Sequence, residues 1–239
     1  MEISVIIPSR CERFLNQTIK EIQKKFKGSY EIIVVLDGEW AEPIKGTKYI
    51  YNEQSKGMRT AINQAVAIAK GKYIMKFDAH CMMDEGIDEK LKAVHQDNWV
   101  QIPRRKRMDA RKWKLTPDNR PDIDYMLLDT YLIGHKDNEK NRDISFRDKL
   151  IDDIDAFQGS CYFIKKDYFL KLGLLDDKNF GGSGRESQEI AFKCWMDGGR
   201  TVVNKTTWYA HAHIGRHYAR DKEQIQKSEE ALFRLVQTI

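Results

Sequence analysis

The stretch KGMRTAINQAVAIAKGKYIMKFDAH, Lys56–His80, contains a helical pattern, a strand pattern and a polar turn in that order. Apolar residues recur at helical spacing over Met58–Ala69, and Gly71 ends the pattern. The apolar run that follows, Tyr73–Phe77, is typical of a strand buried on both faces. Asp78 comes directly after it. The stretch therefore predicts a helix that leads into a buried strand with a carboxylate at its end.

The same alternation of strand and helix begins nearer the N-terminus. Apolar residues form a short run over Ile3–Ile7, a helical pattern over Leu15–Phe26 and a second run over Glu31–Leu36. Repeated strand and helix indicate a Rossmann-like α/β fold, with a mostly parallel central sheet flanked by helices. Ligands of such sheets bind at the carboxyl ends of the strands. We therefore expect the residues that follow the strands to meet at one edge: Pro8, Ser9, Asp37 and Asp78.

Beyond His80 the pattern is less regular. We predict a helix over 84–95 with Asp84 as its N-cap, a strand over 99–102, and a loop-rich excursion with one or two short helices over 103–155. Further elements follow: a strand within 157–164, helices over 167–172 and within 181–199, a strand over 201–203 and a C-terminal helix. Since no Ser/Gly-rich linker interrupts the chain, we expect a single domain with three regions, namely 1–100, 101–155 and 156–239.

The composition is that of a globular protein. The chain has 239 residues and 41% apolar content, enough for a full core. The N-terminus has no signal-peptide pattern, and nowhere do about 18 apolar residues run together. The four cysteines stand singly, which favours reduced thiols. We expect a cytoplasmic protein that does not bind membranes.

A basic cluster lies in the irregular middle of the chain. The net charge is +5, and seven lysine and arginine residues fall between Arg104 and Lys114, with Trp113 among them. Such a cluster can contact phosphates, so Arg104, Arg105, Arg107 and Trp113 are candidate acceptor residues for double-stranded DNA. A solvated loop of mixed charge is the alternative interpretation.

The pair Asp78-x-His80 is a candidate metal site. A carboxylate and an imidazole two residues apart in a turning segment can both reach one divalent cation, and mixed oxygen and nitrogen ligands suit manganese better than calcium. A third ligand is needed, and His211-x-His213, with His217 beyond, is the concentrated source of imidazole. The alternative is a capping aspartate followed by a surface histidine.

These motifs together resemble the family 2 glycosyltransferases of the GT-A fold. The first strand ends in Pro8-Ser9, the second in Asp37, and the stretch 56–80 is similar to the family's progression toward Asp-x-Asp. His80 stands where a second aspartate is commoner, which is the variant of the polypeptide N-acetylgalactosaminyltransferases. GGSGRESQEIAFKCWMDGGR and the downstream histidine resemble the same enzymes. The resemblance covers 1–100 and 156–216, and the last segment is also similar to phage-encoded glycosyltransferases.

The resemblance implies roles for individual residues. Nucleotide-sugar binding would involve Pro8, Ser9, Arg10, Asp37, Arg59, Asn63 and Asp78, with Asp37 accepting hydrogen bonds from uracil or ribose. Asp78 and His80 would bind Mn²⁺ or Mg²⁺, with His211 as the third ligand and His213 as the fallback. Glu186 would be the general base, and Glu189 would have either a direct role or a structural ion pair. Ser187 stands where inverting members carry an aspartate, which leaves the stereochemical outcome open.

The function implied is that of a metal-dependent glycosyltransferase that moves a sugar from a UDP-sugar to a hydroxyl. Two acceptors are compatible with the sequence: a 5-hydroxymethylpyrimidine in phage DNA, and a cell-surface glycan. A catalytically silent nucleotide- or glycan-binding module is the alternative from another class. A nucleotidyltransferase is disfavoured because SVIIPSRCERF contains no glycine-rich phosphate loop.

Overall fold

The computed structural model describes residues 1–117, 119–213 and 221–237. The strands are β1 (Ile3–Ser9), β2 (Tyr30–Asp37), β3 (Thr47–Asn52), β4 (Tyr73–Phe77), β5 (Cys81–Met83), β6 (Trp99–Asp109), β7 (Lys114–Leu115), β8 (Met126–Leu128), β9 (Gly134–Lys136), β10 (Ile151–Asp153), β11 (Cys161–Lys165) and β12 (Arg200–His211). The helices are α1 (Leu15–Lys25), α2 (Met58–Ile68), α3 (Ile87–Val94), α4 (Asn138–Arg142), α5 (Ile144–Arg147), α6 (Lys166–Lys171), α7 (Glu186–Met196) and α8 (Lys222–Val236).

One central sheet contains strands from both halves of the chain, in the order β10-β12-β6-β11-β4-β1-β2-β3. The strands β4, β1, β2 and β3 are parallel. β11 runs antiparallel between β4 and β6, so β6 and its parallel neighbour β12 point the same way as β4. Within the described ranges, most strands of this path therefore share one direction, and the predicted single α/β unit is confirmed.

The buried strands were predicted almost to the residue. β1, β2 and β4 are apolar and buried on both faces, so the continuous run in the sequence is the whole signal. Helices α1, α2, α6 and α7 also lie where they were predicted. β3 was missed, because this edge strand is half exposed and its polar and apolar residues show no continuous run.

The middle of the chain is more regular than predicted. β6 continues seven residues beyond Ile102 to Asp109, and the segment up to residue 155 adds β7, the β8-β9 hairpin, α4, α5 and β10. β12 likewise extends from Arg200 to His211 along β6, with a bulge between Asn204 and Trp208. The charged sequence concealed these strands because its polar side chains have partners inside the fold.

Asp84 does not cap α3. The helix begins at Ile87, its N-cap is Gly86 in the left-handed region, and no side chain caps it. Asp84 instead accepts hydrogen bonds from Lys90 Nζ at 2.7 Å and Thr207 Oγ1 at 3.1 Å. It therefore ties the turn after β5 to α3 and to β12.

The fold brings the ends of distant strands to one edge. β1, β2 and β4 are parallel and adjacent, so Ser9, Asp37 and Asp78 stand at the same edge of the sheet. β5 then turns back and pairs antiparallel with the end of β12, with Cys81 opposite His211. None of the described helices is long and apolar enough to cross a membrane.

Candidate active site

Three side chains converge at the carboxyl end of β4. His80 Nε2 lies 2.9 Å from His211 Nε2, and His211 Nε2 lies 3.2 Å from Asp78 Oδ2. Among the residues that the structure describes, these three form the one group of at least three His, Cys, Asp or Glu side chains whose ligand atoms converge, all within 4.8 Å. We call Asp78, His80 and His211 the DHH triad.

Backbone pairing holds the triad together. The antiparallel pairing of β5 with β12 continues into a hydrogen bond from Ala212 N to His80 O at 3.1 Å. Asp78 N donates to Ser160 O at 2.8 Å, which fixes the turn after β4 against the start of β11. His211 therefore projects from the sheet itself, and the turn that carries His80 is hydrogen-bonded to Ser160 and Ala212.

The donor atoms of the triad suit a divalent cation. Adjacent ligands of an octahedral ion with bonds of ~2.1 Å are about 3 Å apart, which matches the separations of His211 Nε2 from its two neighbours. One carboxylate oxygen and two imidazole nitrogens are ligands that manganese and similar ions accept. The donor set and its spacing therefore fit the ion that the sequence predicted.

The charge states of the triad also favour cation binding. Burial alone would raise the pKa of Asp78, but the Lys76 ammonium and His211 hold it well below its ordinary value. Lys76 Nζ contacts Asp78 Oδ1 and leaves Oδ2 directed at His211. Burial lowers the pKa of His211 against the opposing effect of Asp78, so this imidazole is neutral near pH 7.

His211, rather than His213, stands in the triad. The His213 ring lies edge-on to that of His211, with centroids 5.1 Å apart, and it is exposed. His217, the other histidine of this stretch, lies outside the described residues. The role of His211 as third ligand stays a prediction, which the geometry favours.

A cavity of about 800 Å³ opens at the same edge of the sheet, and none of the three triad residues belongs to its wall. Pro8, Ser9 and Arg10 line it from the end of β1, and Asp37 lines it from the end of β2. Glu12 belongs to the cavity wall and also contacts His80 Nδ1 at 2.9 Å. The cavity and the DHH triad are therefore adjacent. The opposite wall comes from the glycine-rich loop 182–184, the start of α7 and one side of α8.

Asp37 shapes the cavity wall and does not present free oxygens to it. Its carboxylate accepts hydrogen bonds from Asn52 Nδ2, Ser55 Oγ, and the backbone nitrogens of Lys56 and Gly57, at 2.7 to 2.9 Å. These four bonds use the four acceptor positions that a carboxylate offers. Asp37 therefore orders the loop before α2, and the hydrogen bond from uracil or ribose to Asp37 stays a prediction.

Three other predicted site residues have internal partners. Arg59 is fully buried and does not line the cavity: its Nε donates to Glu189 Oε2 at 2.9 Å, and its two terminal nitrogens donate to the carbonyls of Gly181 and Gly184. Glu189 also pairs with Lys193 at 2.7 Å. The structure thus shows the ion pairs that the sequence offered as the alternative to a direct role of Glu189. Asn63 exchanges two hydrogen bonds with the backbone of Leu175. Arg59 and Asn63 therefore brace the loops around the cavity, and their contact with the nucleotide stays a prediction that these bonds do not favour.

Glu186 remains at the cavity. It is the first residue of α7, its side chain is 20% exposed, and its Oε1 accepts a hydrogen bond from Gly184 N at 2.7 Å. The same oxygen lies 3.7 Å from Arg59 Nη1. A carboxylate in the wall of this cavity is correctly placed for a general base, and that role stays a prediction.

The candidate DNA-contacting residues of the basic cluster have partners within the protein, whereas Arg111, Lys112 and Lys114 of the same cluster are exposed. Arg104 forms a bidentate pair with Asp124 at 2.7 and 2.8 Å, and Arg107 donates to Pro121 O at 2.8 Å. Arg105 is buried and contacts Gln158. Trp113 stacks on Phe14, with centroids 5.7 Å apart, and donates to Glu21. These internal contacts give no support to the assignment of the four residues to DNA, which stays a prediction.

The sequence patterns did not reveal two residues that contact the triad. Glu12 gives no local signal, since its contact with His80 joins positions 68 apart. Lys76 did offer one, because a lysine in the apolar run YIMKF stands at a position where a buried charge needs a partner. Its partners are Asp78 Oδ1 and Gly159 O.

The curated relatives that this chain matches are named as N-acetylgalactosaminyltransferases. A putative polypeptide N-acetylgalactosaminyltransferase 13 of Drosophila melanogaster is 24% identical over 244 residues, which cover 90% of this chain and 42% of the relative. A polypeptide N-acetylgalactosaminyltransferase 3 of Taeniopygia guttata is 24% identical over 72% of this chain and 29% of its own length. The chain thus spans less than half the length of the curated relatives it matches.

A solved structure shows the same fold. GalNAc-T7, crystallised with UDP, GalNAc and Mn²⁺, superposes with a TM-score of 0.83 at 19% identity, over 99% of this chain and 48% of that one. At this identity the likeness shows the GT-A fold alone. The model of glycosyl transferase family 2 matches residues 4–169, more than half of the sequence. The chain therefore belongs to glycosyl transferase family 2.

Proposed function

We propose that this chain transfers a sugar from a nucleoside diphosphate sugar to a hydroxyl, with a divalent cation held by Asp78, His80 and His211. The observation that carries the proposal is the position of the DHH triad. It stands at the carboxyl edge of the sheet and beside a cavity large enough for a ligand of drug-like size. Membership of glycosyl transferase family 2 supports the same reaction class.

The donor is a UDP-sugar, and UDP-N-acetylgalactosamine is the first one to test. GalNAc-T7 was crystallised with UDP, GalNAc and Mn²⁺, and the curated relatives are named as N-acetylgalactosaminyltransferases. In this chain, Pro8, Ser9 and Arg10 border the nucleoside, and residues 1–100 form most of the donor half. Residues 156–239 contribute the acceptor half.

Each residue of the triad has a distinct task. Asp78 offers one oxygen because Lys76 occupies the other, and His80 and His211 each offer one ring nitrogen. Mn²⁺ or Mg²⁺, when bound there, would neutralise the diphosphate and stabilise it as leaving group. Glu186 receives the proton of the attacking hydroxyl from the cavity wall. Its neighbour Ser187 is buried and carries no carboxylate, so it cannot share this role.

The acceptor hydroxyl belongs to a polypeptide or a glycan. The names of the relatives support a polypeptide. A hydroxymethylated base in DNA has less support, because the arginines expected to contact the DNA backbone are engaged within the protein. DNA binding by such a protein would need several exposed cations along one surface.

Donor turnover and acceptor transfer test the proposal in two steps. The purified chain is incubated with Mn²⁺ and a panel of UDP-sugars, and UDP release is measured in parallel for Asp78→Ala and His80→Ala. Release that depends on Mn²⁺ and on both residues is expected. Mass spectrometry then reports transfer to a threonine-rich peptide, an oligosaccharide and DNA containing 5-hydroxymethylcytosine.

Two results would contradict the proposal. UDP binding without release from any donor would indicate the catalytically silent nucleotide- or glycan-binding module. Release that is unaffected by Asp78→Ala would remove the triad from the reaction. A mass gain on the DNA alone would overturn the acceptor assignment and leave the donor chemistry intact.

A further inference from the structure

Glu12 lies behind His80, on the far side of its imidazole from the other triad residues. Glu12 Oε2 is 2.9 Å from His80 Nδ1, whereas His80 Nε2 is 2.9 Å from His211 Nε2. The side chains of Glu12 and His80 are 18% and 13% exposed, so water has little access to the contact. The two nitrogens of one ring therefore face two different partners: a carboxylate behind and the triad in front.

This contact determines which nitrogen of His80 carries the proton. An ionised carboxylate only accepts hydrogen bonds, so His80 Nδ1 must be the donor. A neutral imidazole has one N–H and one lone pair, so Nε2 is left with the lone pair. That lone pair points at the position where a cation would meet Asp78 Oδ2 and His211 Nε2. The contact thus holds the ring in both the tautomer and the orientation that metal binding requires.

The other histidine of the triad has no such support. His211 Nδ1 is buried without a hydrogen-bond partner among the described residues, and the ring is held by its place at the end of β12. His80, in contrast, sits in a turn between β4 and β5. Because a turn orders a side chain less firmly than a sheet does, His80 is the ligand that gains most from an orienting partner.

The backbone directly before Glu12 has an unusual conformation. Cys11 has a φ of +55°, a left-handed conformation that residues with a side chain rarely adopt. Such outliers concentrate at functional sites, where surrounding contacts maintain them. The unusual turn stands between the cavity-lining residues at the end of β1 and Glu12 itself.

We propose that Glu12 is a positioning residue that fixes the tautomer and ring orientation of His80 for divalent cation binding, an inference that rests on the proposed function of the triad. Carboxylate partners of metal-binding histidines typically change metal affinity by about 10- to 100-fold. We therefore expect Glu12→Ala to weaken Mn²⁺ binding by roughly that factor. Glu12→Gln keeps an oxygen that can accept from Nδ1, so it restores some of the affinity.

A double-mutant cycle on Mn²⁺ binding tests the inference without any measurement of activity. The dissociation constant is obtained by electron paramagnetic resonance of free Mn²⁺ for the wild type, Glu12→Ala, His80→Ala and the double variant. If Glu12 acts through His80, its replacement has no further effect once His80 is absent. The control variant is Glu42→Ala, which removes the carboxylate of an exposed residue. Circular dichroism verifies that each variant is folded.

The outcomes separate this inference from the proposed function. If His80→Ala leaves Mn²⁺ binding unchanged, the metal role of the triad fails. If His80→Ala weakens binding and Glu12→Ala does not, the positioning role of Glu12 alone is overturned. Equal losses from Glu12→Ala with and without His80 would also overturn it, since they would show that the carboxylate acts on the cation directly.

Discussion

His80 and His211 are 131 positions apart in the chain, and their Nε2 atoms lie 2.9 Å apart. When neither Nε2 atom carries a proton, the two lone pairs face each other, and a cation between them and Asp78 would accept both. The pairing of β5 with β12 brings the two residues together. The site is therefore organised before any ligand arrives, and its members respond differently to substitution.

His211→Ala and His213→Ala should have unequal effects on Mn²⁺ affinity. His211 contributes a converging nitrogen, so its loss should raise the dissociation constant at least about tenfold. His213 is exposed and outside the triad, so its loss should change that constant by less than about threefold. Titration of Mn²⁺ into both variants by calorimetry makes the comparison. A larger loss from His213→Ala would reassign the third ligand.

Arg59 and Glu189 should determine stability rather than donor contact. Both side chains are fully buried and paired at 2.9 Å, so removal of one leaves the other as an uncompensated charge. Arg59→Met should lower the free energy of unfolding by about 3–5 kcal/mol in urea titrations followed by circular dichroism. Arg234→Met, on the exposed side of α8, should change it by less than about 0.5 kcal/mol. Equal stability of the two variants would contradict the buried pair.

Sequence patterns were sufficient to locate the strands that are buried on both faces. The runs of β1, β2 and β4 are apolar because both faces are covered, so periodicity alone located them, and the parallel topology then placed Ser9, Asp37 and Asp78 at one edge. The triad followed from the same argument once a second histidine-rich strand end was recognised.

Side-chain pairing across the fold could not be read from the sequence. Arg104 and Arg105 belong to an evident basic cluster, but their partners Asp124 and Gln158 are 20 and 53 positions away. Arg59 similarly faces Glu189 across 130 positions. A charge in the sequence has the same appearance whether it is solvated or paired, and only the tertiary structure distinguishes the two.

Stability should fall in mild acid because of His95. Burial lowers the pKa of His95 to about 4 from an ordinary value of 6.5, and its ring packs edge-on against Tyr73 and Phe163. The unfolded state therefore binds more protons than the folded state as the pH falls below 6.5. The stability that neutral, buried His95 contributes is complete above that pH and is lost as the pH falls toward 4. At pH 5 the loss is at most about 2 kcal/mol.

His95→Phe provides the comparison for this pH effect. Phenylalanine retains an aromatic ring between the same neighbours and does not titrate. Urea titrations at pH 7 and pH 5 should therefore show a smaller pH-dependent loss for the variant than for the wild type. An identical loss in both proteins would assign the acid sensitivity to other groups.

Glu186→Gln should slow sugar transfer far more than it weakens donor binding. The amide retains an oxygen that can accept from Gly184 N, so the loop beside the cavity keeps its hydrogen bond. The amide cannot take a proton from the acceptor hydroxyl, so kcat should fall about 100-fold or more. The dissociation constant for UDP with Mn²⁺, measured by calorimetry, should stay within about threefold of the wild type.

The variant Glu223→Gln, at an exposed residue of α8, controls for the loss of one negative charge. Parallel losses in kcat and donor affinity would instead make Glu186 a binding residue, and the proton would then have to leave through another group of the cavity.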